Sequence, residues 1–301
     1  MPTTTRIGID LTYETQGDSS HPAILLIMGL GMQLTSWPAK FCQGLVDQGF
    51  YVIRFDNRDC GLSSKLNHLG KPNMLLAYVK SFLHLPISSG CKLDDMAADA
   101  IAVLDAVQVQ KAHIVGVSMG GMIAQIVAGK YPERTLSLTS IMSTSGRRGL
   151  PGATPAARRA ILTRPSDPND IEGVVQHLMR TFRIIGSPAF PTPEAELRTR
   201  IMTSIQRNVN TAGVLRQLAA IAASGDRVDL LKGLRTRTLV IHGTSDPLVP
   251  VACGRDTAKL VPAALLREIE GMGHDLPPGL MGPLVDMISA HCKEQNVPQM
   301  T

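Results

Sequence analysis

Aromatic residues, long apolar runs and nucleotide-binding motifs are scarce or missing in this 301-residue chain. Phe, Trp and Tyr make up 4% of it, which leaves little material for stacking on bases, so we expect no nucleic-acid partner. No apolar run approaches the roughly 18 residues of a membrane span. Residues 1–10 lack the basic start and apolar stretch of a signal peptide. Neither GxGxxG nor a Walker pattern occurs, so no phosphate-binding loop is expected.

Cysteines are few and show no metal-binding spacing. The five are scattered and form no CxxC pair: Cys42, Cys60, Cys91, Cys253 and Cys292. This usage is typical of reduced thiols in the cytoplasm, where we expect the protein, and it argues against a disulfide or zinc framework. A catalytic thiol at Cys60 stays open, although no motif surrounds it.

The chain contains 44% hydrophobic and 18% charged residues, which is enough apolar side chain to form one large core. Nearly continuous apolar runs predict strands buried on both faces, at residues 24–28, 51–55, 112–117, 136–142, 238–242 and 265–269. Helices are predicted between them at 93–107, 120–130, 252–260 and 283–292. This alternation predicts an α/β fold with a mostly parallel sheet flanked by helices.

Residues 145–230 interrupt the alternation, because no convincing strand occurs there. Helical spacing of apolar residues predicts a helix over 171–182, with Asp167 as N-cap and Pro168 at its start. Two further helices are predicted over 194–208 and 211–224. We interpret this insertion as a helical lid over the carboxyl edge of the sheet. The predicted domains are therefore a core of residues 1–144 and 231–301 and a lid of residues 145–230.

The insertion also carries the net charge of the chain. Its twelve arginines and seven acidic residues give +5, which is the net charge of the whole chain. Such a segment either meets an acidic partner or is a solvated helical face. We favour the solvated face.

The segment Gly116-Val117-Ser118-Met119-Gly120 is the sharpest chemical signal. It joins a predicted strand to a predicted helix, which is the setting of a nucleophile elbow. Such a turn lifts the serine out of the sheet at a helix N-terminus, and Gly116 and Gly120 stand where a Cβ would clash. Ser118 is therefore the candidate nucleophile.

A serine hydroxyl needs a base and a group that orients the base. His274 lies in a glycine-rich loop after a predicted strand, and we assign it as general base over the seven other histidines. Asp246 lies just past another predicted strand, at the sheet edge where ligands bind, and we assign it as the acid. An Asx turn before Pro247 is the structural alternative for Asp246.

An oxyanion hole needs two backbone N–H donors. We assign one to Met119, the residue after the nucleophile, and the other to Leu30, in the glycine-rich loop after the first predicted strand. The cluster of charged and turn residues at 56–63 could be mistaken for a metal-binding site. No second acidic or histidine cluster completes it, so we interpret the segment as a structural loop without a metal.

Five segments together resemble the landmark segments of α/β-hydrolase-fold esterases and lipases: LLIMGLGMQLTSW, YVIRFDNRDCGLSS, AHIVGVSMGGMIAQ, TLVIHGTSDPLVP and GMGHDLP. The resemblance covers most of residues 20–145 and 236–293. It looks closest to carboxylesterases of the aclacinomycin methylesterase type, which remove a methyl ester from a polyketide. It implies the α/β-hydrolase fold, a Ser-Asp-His triad and no cofactor. Many relatives have His-Gly where this chain has Met28-Gly29. The difference matters little if the oxyanion donor in this loop is a backbone N–H group.

These observations predict a serine hydrolase that cleaves small-molecule carboxylic esters through an acyl-enzyme. The same triad also serves lactonases, acyltransferases, C–C hydrolases and perhydrolases, and the same fold serves small-ligand receptors. The natural substrate, the acyl-chain preference and a homodimer stay open.

Overall fold

Residues 1–82, 85–163, 165, 167 and 169–294 are described in the computed structural model of this chain. The strands are β1 Thr3–Arg6, β2 Ile9–Gln16, β3 Ala23–Ile27, β4 Tyr51–Phe55, β5 Ala112–Val117, β6 Thr135–Ile141, β7 Thr238–Gly243 and β8 Leu265–Ile269. The helices are α1 Ala39–Asp47, α2 Met74–Phe82, α3 Leu93–Ala106, α4 Met119–Lys130, α5 Pro155–Leu162, α6 Ile171–Ile185, α7 Glu194–Arg207, α8 Thr211–Ser224, α9 Val228–Lys232, α10 Val251–Leu260 and α11 Met281–Lys293. Short 3-10 helices lie at Leu34–Ser36, Asn67–Leu69, Pro132–Arg134 and Pro278–Leu280.

The strands form one sheet in the order β1-β2-β4-β3-β5-β6-β7-β8. The pairs β1–β2 and β2–β4 are antiparallel, and every pair from β4 to β8 is parallel. This confirms the predicted α/β class and all six predicted strands. The antiparallel hairpin of β1 and β2 was not predicted.

Each buried strand supplies two hydrophobic cores. In β3, Leu25 and Ile27 face one core with α3 and α4, while Ile24 and Leu26 face the other with α1 and α11. Successive side chains of a strand point to opposite faces, so a strand covered by helices on both sides has to be apolar throughout. The helices predicted outside the insertion are present as α3, α4, α10 and α11.

The strand order of the sheet reverses between β3 and β5. These strands are neighbours, and Ile27 pairs with Gly116. From β3 the chain goes to β4 on one side of it and then returns to β5 on the other side. The loops that follow β3 and β5 therefore diverge, and ligands of open α/β sheets bind where strand order reverses in this way.

The helices α5 to α9, here called the inserted helices, lie between β6 and β7. The three helices predicted in this part are present as α6, α7 and α8, and Val175 of α6 packs against Leu197 of α7. The predicted N-cap Asp167 is wrong: Asp170 caps α6 by accepting the N–H of Gly173 at 3.0 Å. Pro168 and residues 295–301 lie outside the described residues. Among the described residues, none of the helices combines the length and the hydrophobicity that a membrane span requires.

Candidate active site

Ser118 stands on the turn that joins β5 to α4. Its backbone is left-handed, with φ 56° and ψ −118°. A Cβ on Gly116 would lie 2.1 Å from the carbonyl oxygen of Gly120, and a Cβ on Gly120 would lie 2.0 Å from that of Ile27. Both positions are thus closed to any side chain, and close packing holds Ser118 in its strained conformation. The serine is left half-buried at the N-terminus of α4.

His274 lies between Ser118 and Asp246. Its Nε2 is 3.0 Å from Ser118 Oγ, and its Nδ1 is 2.7 Å from Asp246 Oδ2. An ionised carboxylate can only accept hydrogen bonds, so Nδ1 carries the proton. Nε2 is then free to accept a hydrogen bond from the serine hydroxyl. The structure thus brings together the three residues that the sequence analysis assigned as nucleophile, base and acid.

The Asp246 carboxylate is buried and richly hydrogen-bonded. Its Oδ1 accepts the N–H of Leu248 at 2.9 Å and that of Val249 at 2.8 Å. The turn considered as the structural alternative is therefore present together with the histidine contact. Burial by itself raises the pKa of Asp246, but the charge of His274 and the hydrogen bonds outweigh burial and lower the pKa to about 2. The group is an anion throughout the neutral range.

The loop after β3 passes close to the serine. A Cβ on Gly29 would lie 3.3 Å from the Cβ of Ser118. No acceptor for the Leu30 N–H is found among the described residues. Met119 is the first residue of α4, so its N–H has no acceptor within the helix. Unpaired N–H groups therefore occur on both chain segments that adjoin Ser118, at the two residues assigned to the oxyanion hole.

The chain is similar to known proteins over most of its length. A family model of the alpha/beta hydrolase fold matches residues 22–277. The chain belongs to the α/β-hydrolase fold family. This α/β hydrolase is 28% identical to rhodomycin D methylesterase DnrP of Streptomyces peucetius, over 99% of this chain and 100% of that protein. It is 25% identical to 3-oxoadipate enol-lactonase 2 of Acinetobacter baylyi, over 89% of this chain and 88% of that protein.

A solved structure supports the fold in particular. The enol-lactonase from Burkholderia xenovorans LB400 matches with a TM-score of 0.73 and 21% identity, over 97% of this chain and 100% of that chain. The resemblance to α/β-hydrolase-fold esterases of the methylesterase type is thereby confirmed.

Several residues that the sequence analysis missed hold the loops of this site. Gln217 on α8 accepts the N–H of Gly31 at 2.8 Å. The carbonyl of Ile185 accepts the N–H of His274 at 2.7 Å, and Ser187 Oγ accepts the N–H of Gly273 at 2.9 Å. These supports come from the inserted helices or directly follow α6. They are distant in the sequence from the loops they hold, so no local pattern reveals them.

A buried histidine also supports the acid. His242 Nε2 donates to the carbonyl of Val249 at 2.7 Å and lies 3.5 Å from Asp246 Oδ2. His242 is the penultimate residue of β7, four residues before Asp246. The expectation of a structural histidine at this position agrees with these contacts.

The arginines of the inserted helices are not simply a solvated face, and that interpretation is wrong for three of them. Arg216 is buried and donates to both carboxylate oxygens of Asp59, at 2.8 and 2.6 Å. Arg207 pairs with buried Asp56 at 2.7 Å, and Arg227 is buried among neutral acceptors. The segment 56–63 is thus a structural loop, and it links the sheet to the inserted helices.

The cysteines offer no alternative nucleophile. All five are buried and unpaired. Burial raises the pKa of Cys60 to about 12, so this thiol is not ionised at neutral pH. In the part of the chain that the structure describes, no group of three or more His, Cys, Asp or Glu residues is arranged to hold a metal ion.

Proposed function

We propose that this α/β hydrolase is a serine carboxylesterase that cleaves small-molecule esters through an acyl-enzyme on Ser118. The observation that carries the proposal is the chain of two hydrogen bonds, of 3.0 Å from Ser118 Oγ to His274 Nε2 and of 2.7 Å from His274 Nδ1 to Asp246 Oδ2. The likeness to a methylesterase over nearly the whole chain supports ester cleavage.

In the first half of the reaction, Ser118 Oγ attacks the ester carbonyl carbon while His274 Nε2 takes the hydroxyl proton. The carbonyl oxygen becomes an oxyanion and accepts the N–H groups of Leu30 and Met119. The imidazolium then gives its proton to the alkoxide oxygen as the C–O bond breaks. The alcohol leaves, and the acyl group stays on Ser118.

In the second half, His274 takes a proton from water, and the hydroxide oxygen attacks the acyl carbon. The tetrahedral intermediate collapses, Ser118 Oγ takes back the proton and the carboxylic acid leaves. Asp246 stays ionised in both halves, because its pKa is about 2. Its charge stabilises the imidazolium and keeps Nδ1 as the protonated nitrogen.

The inserted helices supply the proposed lid, residues 145–230. Contacts from Gln217, Ile185 and Ser187 to the loops of the site support this assignment. The named methylesterase relative supports a methyl ester as the substrate class. The five buried, unpaired cysteines support the cytoplasm as the site of action.

A lactone is the second candidate substrate, because an enol-lactonase is among the relatives. The same acylation opens a lactone ring, and the alcohol then stays tethered to the acid. Lactonase activity would appear as a preference for a lactone over open-chain esters of equal size.

Initial rates at about pH 8, where an ordinary histidine is neutral, test the proposal. The substrates are p-nitrophenyl acetate, butyrate and octanoate, a methyl ester and a lactone, and the enzymes are wild type and Ser118→Ala. We expect ester turnover that falls by roughly 10³-fold or more in the variant. Hydrolysis of the lactone alone would favour the second candidate. Equal rates for both enzymes would contradict the role of Ser118.

A further inference from the structure

The outward face of α2 is apolar, although the helix lies on the surface. Leu75, Leu76 and Val79 stand at positions i, i+1 and i+4, so they share one face of the helix, and they are 73%, 50% and 42% exposed. Ala77, on the opposite side, is buried. A surface helix of a soluble domain normally turns charged or polar residues outward. Here three apolar side chains face the solvent instead.

No other part of the described chain covers this face. α2 packs against α8, and the three exposed side chains belong to none of the hydrophobic core clusters. Neighbouring exposed apolar side chains on one helix face make that face a candidate surface for binding another molecule.

The charge around α2 is positive and is not neutralised locally. Residues 60–93 hold four lysines and no Asp or Glu. Lys71 precedes α2 and Lys80 lies in its last turn. The lysine ion pairs of the described residues are those of Lys130 and Lys232, so neither of these two lysines is paired there.

The carboxylates nearest to α2 along the chain already have other partners. Asp59 is buried against Arg216, Asp94 pairs with Lys130, and Asp95 accepts the N–H of Lys92 at 2.8 Å. The surface that α2 presents is therefore both apolar and cationic.

We propose that this α2 face, formed by Leu75, Leu76 and Val79 with Lys71 and Lys80, binds the surface of an anionic phospholipid bilayer. Exposed leucines beside lysines are the combination by which interfacial helices bind, with apolar side chains among the acyl chains and ammonium groups at the phosphates. The helix lies in the plane of the interface and does not span it. The inference is independent of the proposed function.

A second copy of this chain fits the face less well. A two-fold dimer brings the same patch of each copy together, so the lysines of both copies would meet across a surface without carboxylates. An anionic bilayer supplies the opposite charge instead.

Co-sedimentation of the 301-residue chain with vesicles tests the proposal. One set of vesicles is phosphatidylcholine alone, and the other contains phosphatidylglycerol as well. We expect binding to the anionic vesicles to be about tenfold or more tighter and to weaken with salt, because salt screens the attraction between the lysines and the lipid phosphates. The variant Leu75→Glu/Leu76→Glu should lose that binding by about tenfold or more. Lys71→Glu/Lys80→Glu should weaken it on anionic vesicles only.

Ile171→Glu is the matched control, because Ile171 is an exposed apolar residue on α6; it should bind like wild type. Hydrolysis of p-nitrophenyl butyrate and the melting temperature show whether each variant is folded. Equal binding to both kinds of vesicle, no binding, or binding that the Leu75→Glu/Leu76→Glu variant retains would overturn the proposal. So would a wild-type dimer that this variant dissociates without any effect on vesicles, because the occupant would then be a second copy.

Discussion

The side-chain oxygen of Gln217, on α8, accepts a hydrogen bond of 2.8 Å from the backbone N–H of Gly31, one residue beyond Leu30. The amide nitrogen of the same side chain donates to the carbonyl of Arg58 at 2.9 Å. Gln217 is buried. One side chain thus ties an inserted helix both to the loop that carries the proposed oxyanion donor and to the loop after β4.

We expect Gln217→Met, which removes the acceptor without shortening the side chain, to lower kcat by about 10- to 100-fold with little change in KM. The reason is that a displacement of about 1 Å at a catalytic group costs roughly 10²-fold in rate. Gln217→Glu keeps an acceptor for the Gly31 N–H and should retain more of the activity. Gln206→Met, at an exposed glutamine of α7, is the control. A raised KM with unchanged kcat would instead assign Gln217 to substrate binding.

Asp246→Asn should lower kcat by about 10³- to 10⁴-fold, because an amide no longer holds the imidazole in the right tautomer. The variant should also lose stability at neutral pH. The folded-state pKa of Asp246, about 2, lies below its ordinary value of 3.8. The stability from this group is therefore complete above the ordinary value and is lost as pH falls towards 2.

Urea unfolding of wild type and Asp246→Asn across this pH range checks the predicted loss of stability. The difference in unfolding free energy should shrink as pH falls. Asp229→Asn, at an exposed aspartate, should differ little from wild type throughout. A difference between wild type and Asp246→Asn that does not depend on pH would contradict the lowered pKa.

Gly120→Ala should destabilise the protein by about 3 kcal/mol or more, because the new Cβ would lie 2.0 Å from the carbonyl oxygen of Ile27. Gly282→Ala is the matched control: it lies in α11 with no neighbouring atom within 4 Å of the added Cβ. That substitution should be neutral or stabilise by up to about 1 kcal/mol. Similar unfolding free energies for the two variants would show that the elbow has room for a Cβ at Gly120.

His113 should make the protein acid-sensitive. Burial is the main cause that lowers its pKa from 6.5 to about 4. The unfolded chain takes up a proton at a pH where the folded protein does not, so stability falls as pH drops from 6.5 to 4, by about 3 kcal/mol in total. His113→Gln should remove most of this slope in urea unfolding, and His21→Gln, at an exposed histidine, should not. The pKa of buried His291 is also lowered, so some slope remains.

Sequence patterns that are local predicted the sheet and the elbow well. The bounds predicted for β4, β5 and β8 agree with the structure, because a buried parallel strand is a continuous apolar run between turns. The hairpin of β1 and β2 escaped prediction because TTTR has no apolar residue and IDLTYETQ has apolar residues only at alternate positions, so neither is a continuous apolar run of the kind that identified the buried strands.

Long-range polar contacts were not predictable in the same way. Gln217 and Gly31 are 186 residues apart in sequence, and Arg216 is 157 residues from Asp59. A buried arginine on an amphipathic helix has the same spacing as a solvated one, so only the tertiary structure reveals which arginines are paired. The assignments of Leu30 and Met119 to the oxyanion hole stay predictions.

Labelling with a fluorophosphonate, followed by mass spectrometry of the digested protein, tests the central claim most directly. Such a reagent phosphonylates a serine that a base activates. The account predicts one modified peptide, carrying the label on Ser118 in wild type and in the control Ser19→Ala. No label is expected in Ser118→Ala, and labelling should be much slower in His274→Ala. A label that persists on another residue in Ser118→Ala would contradict Ser118 as the nucleophile.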